Sequence, residues 1–341
     1  MTTYAPTAVG VPDAQARRLC AIWLFAVAGL VALMVVVGGI TRLTESGLSI
    51  IYWKPVTGIL PPLSQEAWQA EFALYRTSPE YLIVNQGMSL AEFKTIYWWE
   101  YGHRLLGRLI GLAFAVPLAL FALTRRIPAG YGPRFVGLLL LGGLQGAMGW
   151  YMVQSGLVDV PEVSHYRLTA HFLLALAIFA ALMWTAFELT GWRRHAVPGA
   201  RRWALALLAL LGVQLALGAL VAGLKAGYIY STWPLMDGGL WPRALLDYQP
   251  WWRNLADNPA TVQFLHRMTG YALVITGALA ALRLRTRAAR GLAALVIAQM
   301  SLGIATLVTY VPVPLGAAHQ FGGVAVLAAT LWFLWRDGAR A

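Results

Sequence analysis

The sequence predicts an all-α integral membrane protein whose eight transmembrane helices form two parallel-repeat four-helix bundles. Three observations predict it. Of 341 residues, 59% are hydrophobic and 12% charged, with a mean hydropathy of +0.62, whereas a water-soluble domain carries about 25% charged residues. Eight apolar runs reach the roughly 20 residues that cross a bilayer. The last four runs repeat the landmarks of the first four in the same order.

The runs lie at about 20–41, 98–123, 135–153, 168–189, 203–224, 262–282, 291–310 and 317–335. Basic residues gather at alternate span ends: Arg17 and Arg18; Arg125, Arg126 and Arg134; Arg193, Arg194, Arg201 and Arg202; Arg283, Arg285, Arg287 and Arg290; Arg336 and Arg340. By the positive-inside rule these ends face the cytoplasm. Most acids fall on the other side, at Glu45, Glu66, Glu71, Glu80, Glu92, Asp159, Glu162, Asp237, Asp247 and Asp257. Both termini are therefore expected in the cytoplasm. The net charge of +12 is topology information, and no nucleic-acid site is read from it. The first sixteen residues lack the positive start and small-residue cleavage site of a signal peptide, so no removed leader is expected. A single cysteine, Cys20, builds neither a disulfide nor a zinc cluster and reads as a small core or lipid-facing residue.

The first span ends in Gly38-Gly39-Ile40-Thr41-Arg42-Leu43-Thr44-Glu45-Ser46-Gly47-Leu48-Ser49, followed by Trp53-Lys54-Pro55. The outer loop over 42–97 is too long for a simple link and is expected to fold over the outer mouth of the bundle. The second span opens with Trp98-Trp99-Glu100-Tyr101-Gly102-His103-Arg104-Leu105-Leu106-Gly107-Arg108. Glu100 and His103 stand at i and i+3, and His103 and Gly107 at i and i+4, so an acid, an imidazole and a gap share one helix face. A flat metal-bearing ring fits such a face; an interfacial histidine bonding a backbone carbonyl is the plainer reading. The third span carries Gln145-Gly146-Ala147-Met148-Gly149, and the fourth opens with Arg167-Leu168-Thr169-Ala170-His171.

The second half replays these landmarks. Gly218 to Trp233 aligns with Gly38 to Trp53 at an offset of 180, Gln263 to Gly270 with Glu100 to Gly107 at 163, Gln299 to Gly303 with Gln145 to Gly149 at 154, and His319 with His171 at 148. The offset falls only across loops. This divides the chain into an N-terminal half, 1–190, and a C-terminal half, 191–341. Four spans per unit give both halves the same orientation, related by an axis along the membrane normal. His103, His171, His266 and His319 then lie at matching depth near the outward starts of even-numbered spans. Each has a small residue four positions on, at Gly107, Ala175, Gly270 and Gly323.

Two histidines per unit, on separate helices, can clamp one haem iron from both faces. Copper or zinc also takes imidazole ligands, but two separated pairs without cysteine or carboxylate partners favour haem. His165 and His195 fall outside the helical setting and are expected to be solvated. Arg42, Arg104, Arg108, Arg167 and Arg267 are available for haem propionates, or equally to snorkel toward headgroups. The halves differ in charge, with Glu100 replaced by Gln263, Arg42 by Ala222 and Arg108 by Tyr271. An electron-relaying haem needs a neutral pocket, while chemistry on a bound molecule needs a proton-handling group. The second unit is therefore read as holding a resident haem and the first as the reaction site. An ion pair between Glu100 and Arg104 at i+4 is the competing account of Glu100.

Together, the motif at 38–49, Trp53-Lys54-Pro55, Glu100-Tyr101-Gly102-His103-Arg104, His171, Leu265-His266-Arg267 and Ala318-His319-Gln320 closely resemble haem A synthase over essentially the whole chain. The absence of outer-loop cysteine pairs resembles the cysteine-free type of proteobacteria and mitochondria, so a thiol-based step does not apply. The resemblance implies oxidation of the C8 methyl of haem O to the formyl group of haem A, by two hydroxylations and loss of water from a geminal diol. It implies haem b on His266 and His319, haem O near His103 and His171, and an essential acid at Glu100. It implies the cell inner membrane, with both haem sites toward the periplasm, and suggests haem O synthase and an unidentified electron partner as associates. Two routes stay open: a ligand histidine leaves so that oxygen gains a position, or the resident haem withdraws electrons so that water attacks. The rivals are a quinol-linked di-haem b carrier, which gives no reason for Glu100 against Gln263, and a haem-transfer protein without turnover.

Overall fold

The computed structural model describes residues 11–54, 57–158 and 161–339; Pro55, Asp159, Arg340 and the first ten residues lie outside them. The described residues contain ten α-helices: α1 (Val11–Leu43), α2 (Gln65–Tyr75), α3 (Pro79–Ile83), α4 (Leu90–Leu123), α5 (Gly132–Gln154), α6 (His165–Thr190), α7 (Ala200–Gly223), α8 (Pro259–Leu284), α9 (Arg287–Val308) and α10 (Val313–Arg336). Eight of them, all but α2 and α3, are long and apolar enough to cross a membrane. Among these residues β-structure is limited to isolated bridges, as a bilayer requires of a chain that satisfies its backbone within helices.

The helices start where short polar side chains satisfy the first free N–H groups. Ser89 and Glu92 form a capping box, with the Ser89 hydroxyl accepting from Glu92 N at 3.3 Å and the Glu92 carboxylate accepting from Ser89 N at 2.8 Å. Consequently α4 begins eight residues before the expected span, and Glu100 sits in its interior instead of at its opening. Asn258 caps α8 ahead of Pro259, and Ser164 and Thr286 cap α6 and α9.

α1 packs on α4 and α6, and α5 on α4 and α6, closing a ring of four. α7 packs on α8 and α10, and α9 on α8 and α10, closing a second ring. The rings meet along α1–α10, α6–α7 and α6–α10. This is compatible with two four-helix units. The main core lies at this junction, around Cys20, Leu24, Leu182, Ala186, Ala204, Leu207 and Phe333. Cys20 is fully buried there, a core residue and not a lipid-facing one. α4 and α5 are the least enclosed helices.

The outer loop is folded. Trp68, Tyr75, Tyr81, Phe93, Tyr97 and Tyr101 form a separate aromatic core that ties α2 and α3 to the first turns of α4. Ring centres of 4.9 Å for Trp68–Tyr97 and 5.0 Å for Tyr75–Phe93 are those of favourable aromatic pairs.

Candidate functional site

His171, His266 and His319 stand about two turns into α6, α8 and α10, and His103 lies deeper in α4 because that helix starts early. Each imidazole rests on a glycine of the preceding long helix. A β-carbon at Gly38 would come within 3.2 Å of His103 Nε2, at Gly149 within 3.0 Å of His171 Cε1, at Gly218 within 3.2 Å of His266 Cε1, and at Gly303 within 2.6 Å of His319 Cε1. Three of these glycines follow a glutamine by four residues, which puts amide and gap on one face. The Gln145 amide nitrogen lies 3.2 Å from His171 Nδ1 and donates to the His171 carbonyl at 3.1 Å. Gln299 does the same for His319 at 3.1 and 2.7 Å, and the Gln214 amide nitrogen lies 3.3 Å from His266 Nε2. The Gln-x-x-x-Gly spacing was present in the sequence three times; what was missing there was which histidine each copy meets.

The rings of His266 and His319 lie 6.5 Å apart between centroids, at 81° to one another. Two imidazoles sharing one metal at bonds of about 2.0–2.1 Å bring their ring centres roughly 6–6.5 Å apart. The donor set fits a bis-histidine haem iron, and among the described residues no group of three or more His, Cys, Asp and Glu converges as a zinc cluster would require. His266 Nδ1, Arg267 Nε, Gln145 Oε1 and Gln214 Oε1 are buried polar atoms without a hydrogen-bond partner, a concentration that native interiors tolerate mainly at functional sites.

Glu100 is 2% exposed and fully engaged. Its Oε1 accepts from Arg104 Nε at 3.0 Å and Nη2 at 2.6 Å, and its Oε2 accepts from Ser49 Oγ at 2.7 Å and Ile50 N at 2.8 Å. The i+4 ion pair is therefore real. In the second half the Gln263 oxygen accepts from Arg267 Nη2 at 3.2 Å, and its nitrogen donates to the carbonyls of Ala226 and Tyr230.

The arginines repeat as well. Arg104 donates to the carbonyls of Ile50 and Tyr52, at 2.7 and 3.2 Å. Arg267 donates to those of Tyr230 and Thr232, both at 2.9 Å. These acceptors are the same pair displaced by 180 residues. Arg108 donates to Lys54 O at 2.8 Å, Arg42 to Gly223 O at 3.2 Å, and Arg167 to Tyr151 O at 2.8 Å while lying 3.8 Å over the Tyr151 ring. Arg104 and Arg108 thus clamp the loop that follows α1, and Arg267 the loop that follows α7. A cleft of about 510 Å³ opens beside the first clamp, lined by Ile51, Tyr52, Trp53, Trp150, Gln154 and Leu157.

His165 departs from expectation. It is the first residue of α6, and its Nε2 lies 3.1 Å from Asp257 Oδ1 in the other half. Tyr166 donates to the same oxygen at 2.5 Å, and Arg253 Nε to Oδ2 at 3.0 Å. Partners 92 residues apart in the chain leave no local trace, so the ring looked solvated. His195 is exposed, as expected.

Comparison with known proteins agrees with the motifs. The family model COX15-CtaA, described as a cytochrome oxidase assembly protein, matches residues 21–331. The chain is 53% identical over 319 residues to a protein of Parvibaculum lavamentivorans named heme A synthase, covering 92% of this chain and 93% of that one. A protein of the same name from Azorhizobium caulinodans is 53% identical over 327 residues, with 93% and 94% covered. One from Nitrosospira multiformis is 48% identical over 329 residues, with 93% and 92% covered. A match spanning both histidine pairs at this identity leaves one conclusion: the chain belongs to the COX15-CtaA family of cytochrome oxidase assembly proteins.

Proposed function

We propose that this membrane oxidoreductase is a haem A synthase that converts the C8 methyl of haem O to the formyl group of haem A. Haem O is held in the N-terminal half, 1–190, between His103 and His171. Haem b is held in the C-terminal half, 191–341, by His266 and His319. The observation that carries this reading is the 6.5 Å separation of the His266 and His319 rings; the product is suggested by the relatives' name.

Bound porphyrin iron supplies the redox chemistry. The chain supplies the rest. Gln299 orients the His319 ring, its amide nitrogen lying 3.1 Å from Nδ1 and donating to the His319 carbonyl at 2.7 Å. Glu100 is the proton acceptor of the first half, three residues before His103 on one helix face. Arg104 holds the carboxylate in place through its Nε and Nη2. Arg42 and Arg104 in the first half and Arg267 in the second serve the propionates, Arg267 through the Nε that nothing else uses. The assignment also places both termini in the cytoplasm, the haem sites toward the periplasmic side of the cell inner membrane, and haem O synthase and an electron partner in contact with the protein.

The test is expression with haem O supplied, followed by identification of the bound porphyrins by mass. Haem A or its alcohol precursor is expected, and loss of haem b in His266→Ala and His319→Ala. A pigment of haem b alone at both sites would favour an electron carrier. Gln263 indicates what Glu100→Gln does, since a glutamine there still accepts from the following arginine. That variant is expected to keep both haems and halt at haem O or the alcohol; a normal haem A yield removes Glu100 from the mechanism.

A further inference from the structure

Three of the four histidines are backed by a side-chain amide, and one is not. Gln145, Gln214 and Gln299 stand one turn before the glycine on which His171, His266 and His319 rest, at 3.2, 3.3 and 3.1 Å from a ring nitrogen. The fourth place, one turn before Gly38, is Met34. It is the spatial counterpart of Gln214. A β-carbon at Gly107 would lie 3.5 Å from Met34 Cε, and one at the equivalent Gly270 would lie 3.5 Å from Gln214 Nε2. A thioether donates nothing and accepts weakly, so Met34 cannot hold an imidazole as the three amides do.

Two further observations single out His103. It presents its Nε2–Cδ2 edge to Gly38, while the other three present the Cε1 atom to their glycines. In addition, His266 and His319 are in ring contact at 6.5 Å, and His103 and His171 make no such contact among the described residues. Amide backing and ring orientation therefore distinguish one imidazole of four, and ring separation distinguishes its pair.

From this we infer that His103 is the exchangeable ligand of the first-half site and His171 the held one, with Met34 as the positioning residue that permits the exchange. The inference rests on the proposed function and deepens it. A porphyrin that must be admitted, changed and released needs one weak axial bond, whereas a resident haem keeps two. The free position then opens on the side of α4, the helix that carries Glu100.

Carbon monoxide binding to the dithionite-reduced full chain, isolated with its porphyrins from cells supplied with haem O, tests this. Ferrous iron binds the gas only when an axial ligand leaves. Wild type is expected to bind it at one porphyrin of two. Met34→Gln is expected to slow that binding at least tenfold at unchanged porphyrin content, and Gln214→Met to make the second porphyrin reactive. Unchanged rates in both variants with normal porphyrin content overturn the inference, as does a gain in rate from Gln145→Met larger than that from Gln214→Met. Absence of bound porphyrin in wild type would instead remove the proposed function beneath it.

Discussion

A histidine on a membrane helix needs a neighbour that leaves room for it, and Gly303 leaves the least. Its added β-carbon would lie 2.6 Å from His319 Cε1, against 3.2 Å for Gly218 and His266. Overpacking of this kind costs about 1–3 kcal/mol or moves the side chain. Gly303→Ala is therefore expected to displace the His319 ring and lose most of the haem proposed for the second half, while Gly218→Ala retains it with a small spectral change. Pyridine haemochrome quantification of the two variants checks this, and equal retention would remove the close fit as an organising feature. Glutamine and glycine positions in odd spans looked like ordinary membrane packing in the sequence. Their partners are 16 to 65 residues away, so only the folded chain pairs them.

At the scale of elements, α2, α3 and the start of α4 form a cap with its own charge. Glu80 is 5% exposed and its Oε2 has no partner. Burial pushes its carboxyl up from the usual 4.5 to about 7; the Tyr75 hydroxyl pulls the other way, and Glu100 and Glu45 add a smaller push upward. Below pH 4.5 the proton is present in both the folded and the unfolded cap. Between 4.5 and about 7 the unfolded segment releases it and the folded cap keeps it, so cap stability falls across that window and levels off above it. The total is about 3 kcal/mol. Hydrogen-exchange protection over residues 65–83, taken relative to the intrinsic rate at each pH, is expected to fall from pH 5 to 7.5 in wild type and to stay flat in Glu80→Gln. A flat wild-type profile would show the carboxyl to be ordinary. The length of loop 42–97 announced that it folds, but its aromatic core depends on which rings α2 turns toward α4.

At the scale of the molecule, the helix contacts are compatible with two units related by a twofold axis. Glu45 and Lys225 are equivalent residues at the offset of 180, both left-handed at φ 51° and 52°, and they pair with each other. An equivalent residue meeting its counterpart is what a twofold relation produces. Both side chains are largely exposed, so this pair contributes about 0–1 kcal/mol. The Asp257 cluster matters more. Burial pushes its carboxyl up, but Tyr166, Arg253 and His165 together hold it below the usual value, so its contribution is complete at neutral pH and is lost as acid protonates it. Asp257→Asn is expected to lower stability in detergent by about 1–3 kcal/mol, and Glu45→Gln by less than a third of that. Thermal unfolding of the two variants ranks them, and the reverse order would place the main clasp at the axis.

The sequence by itself determined the eight spans, the internal repeat and the four histidines, because bilayer thickness sets span length and helical spacing sets which residues share a face. It also offered the Glu100–Arg104 pair as the competing account of Glu100, and the structure forms it. Tertiary structure alone decided that three histidines meet a side-chain amide, that Arg104 and Arg267 clamp loops, and that His165 reaches Asp257. Those contacts cross between helices, and no periodicity within one helix records what the next one brings against it.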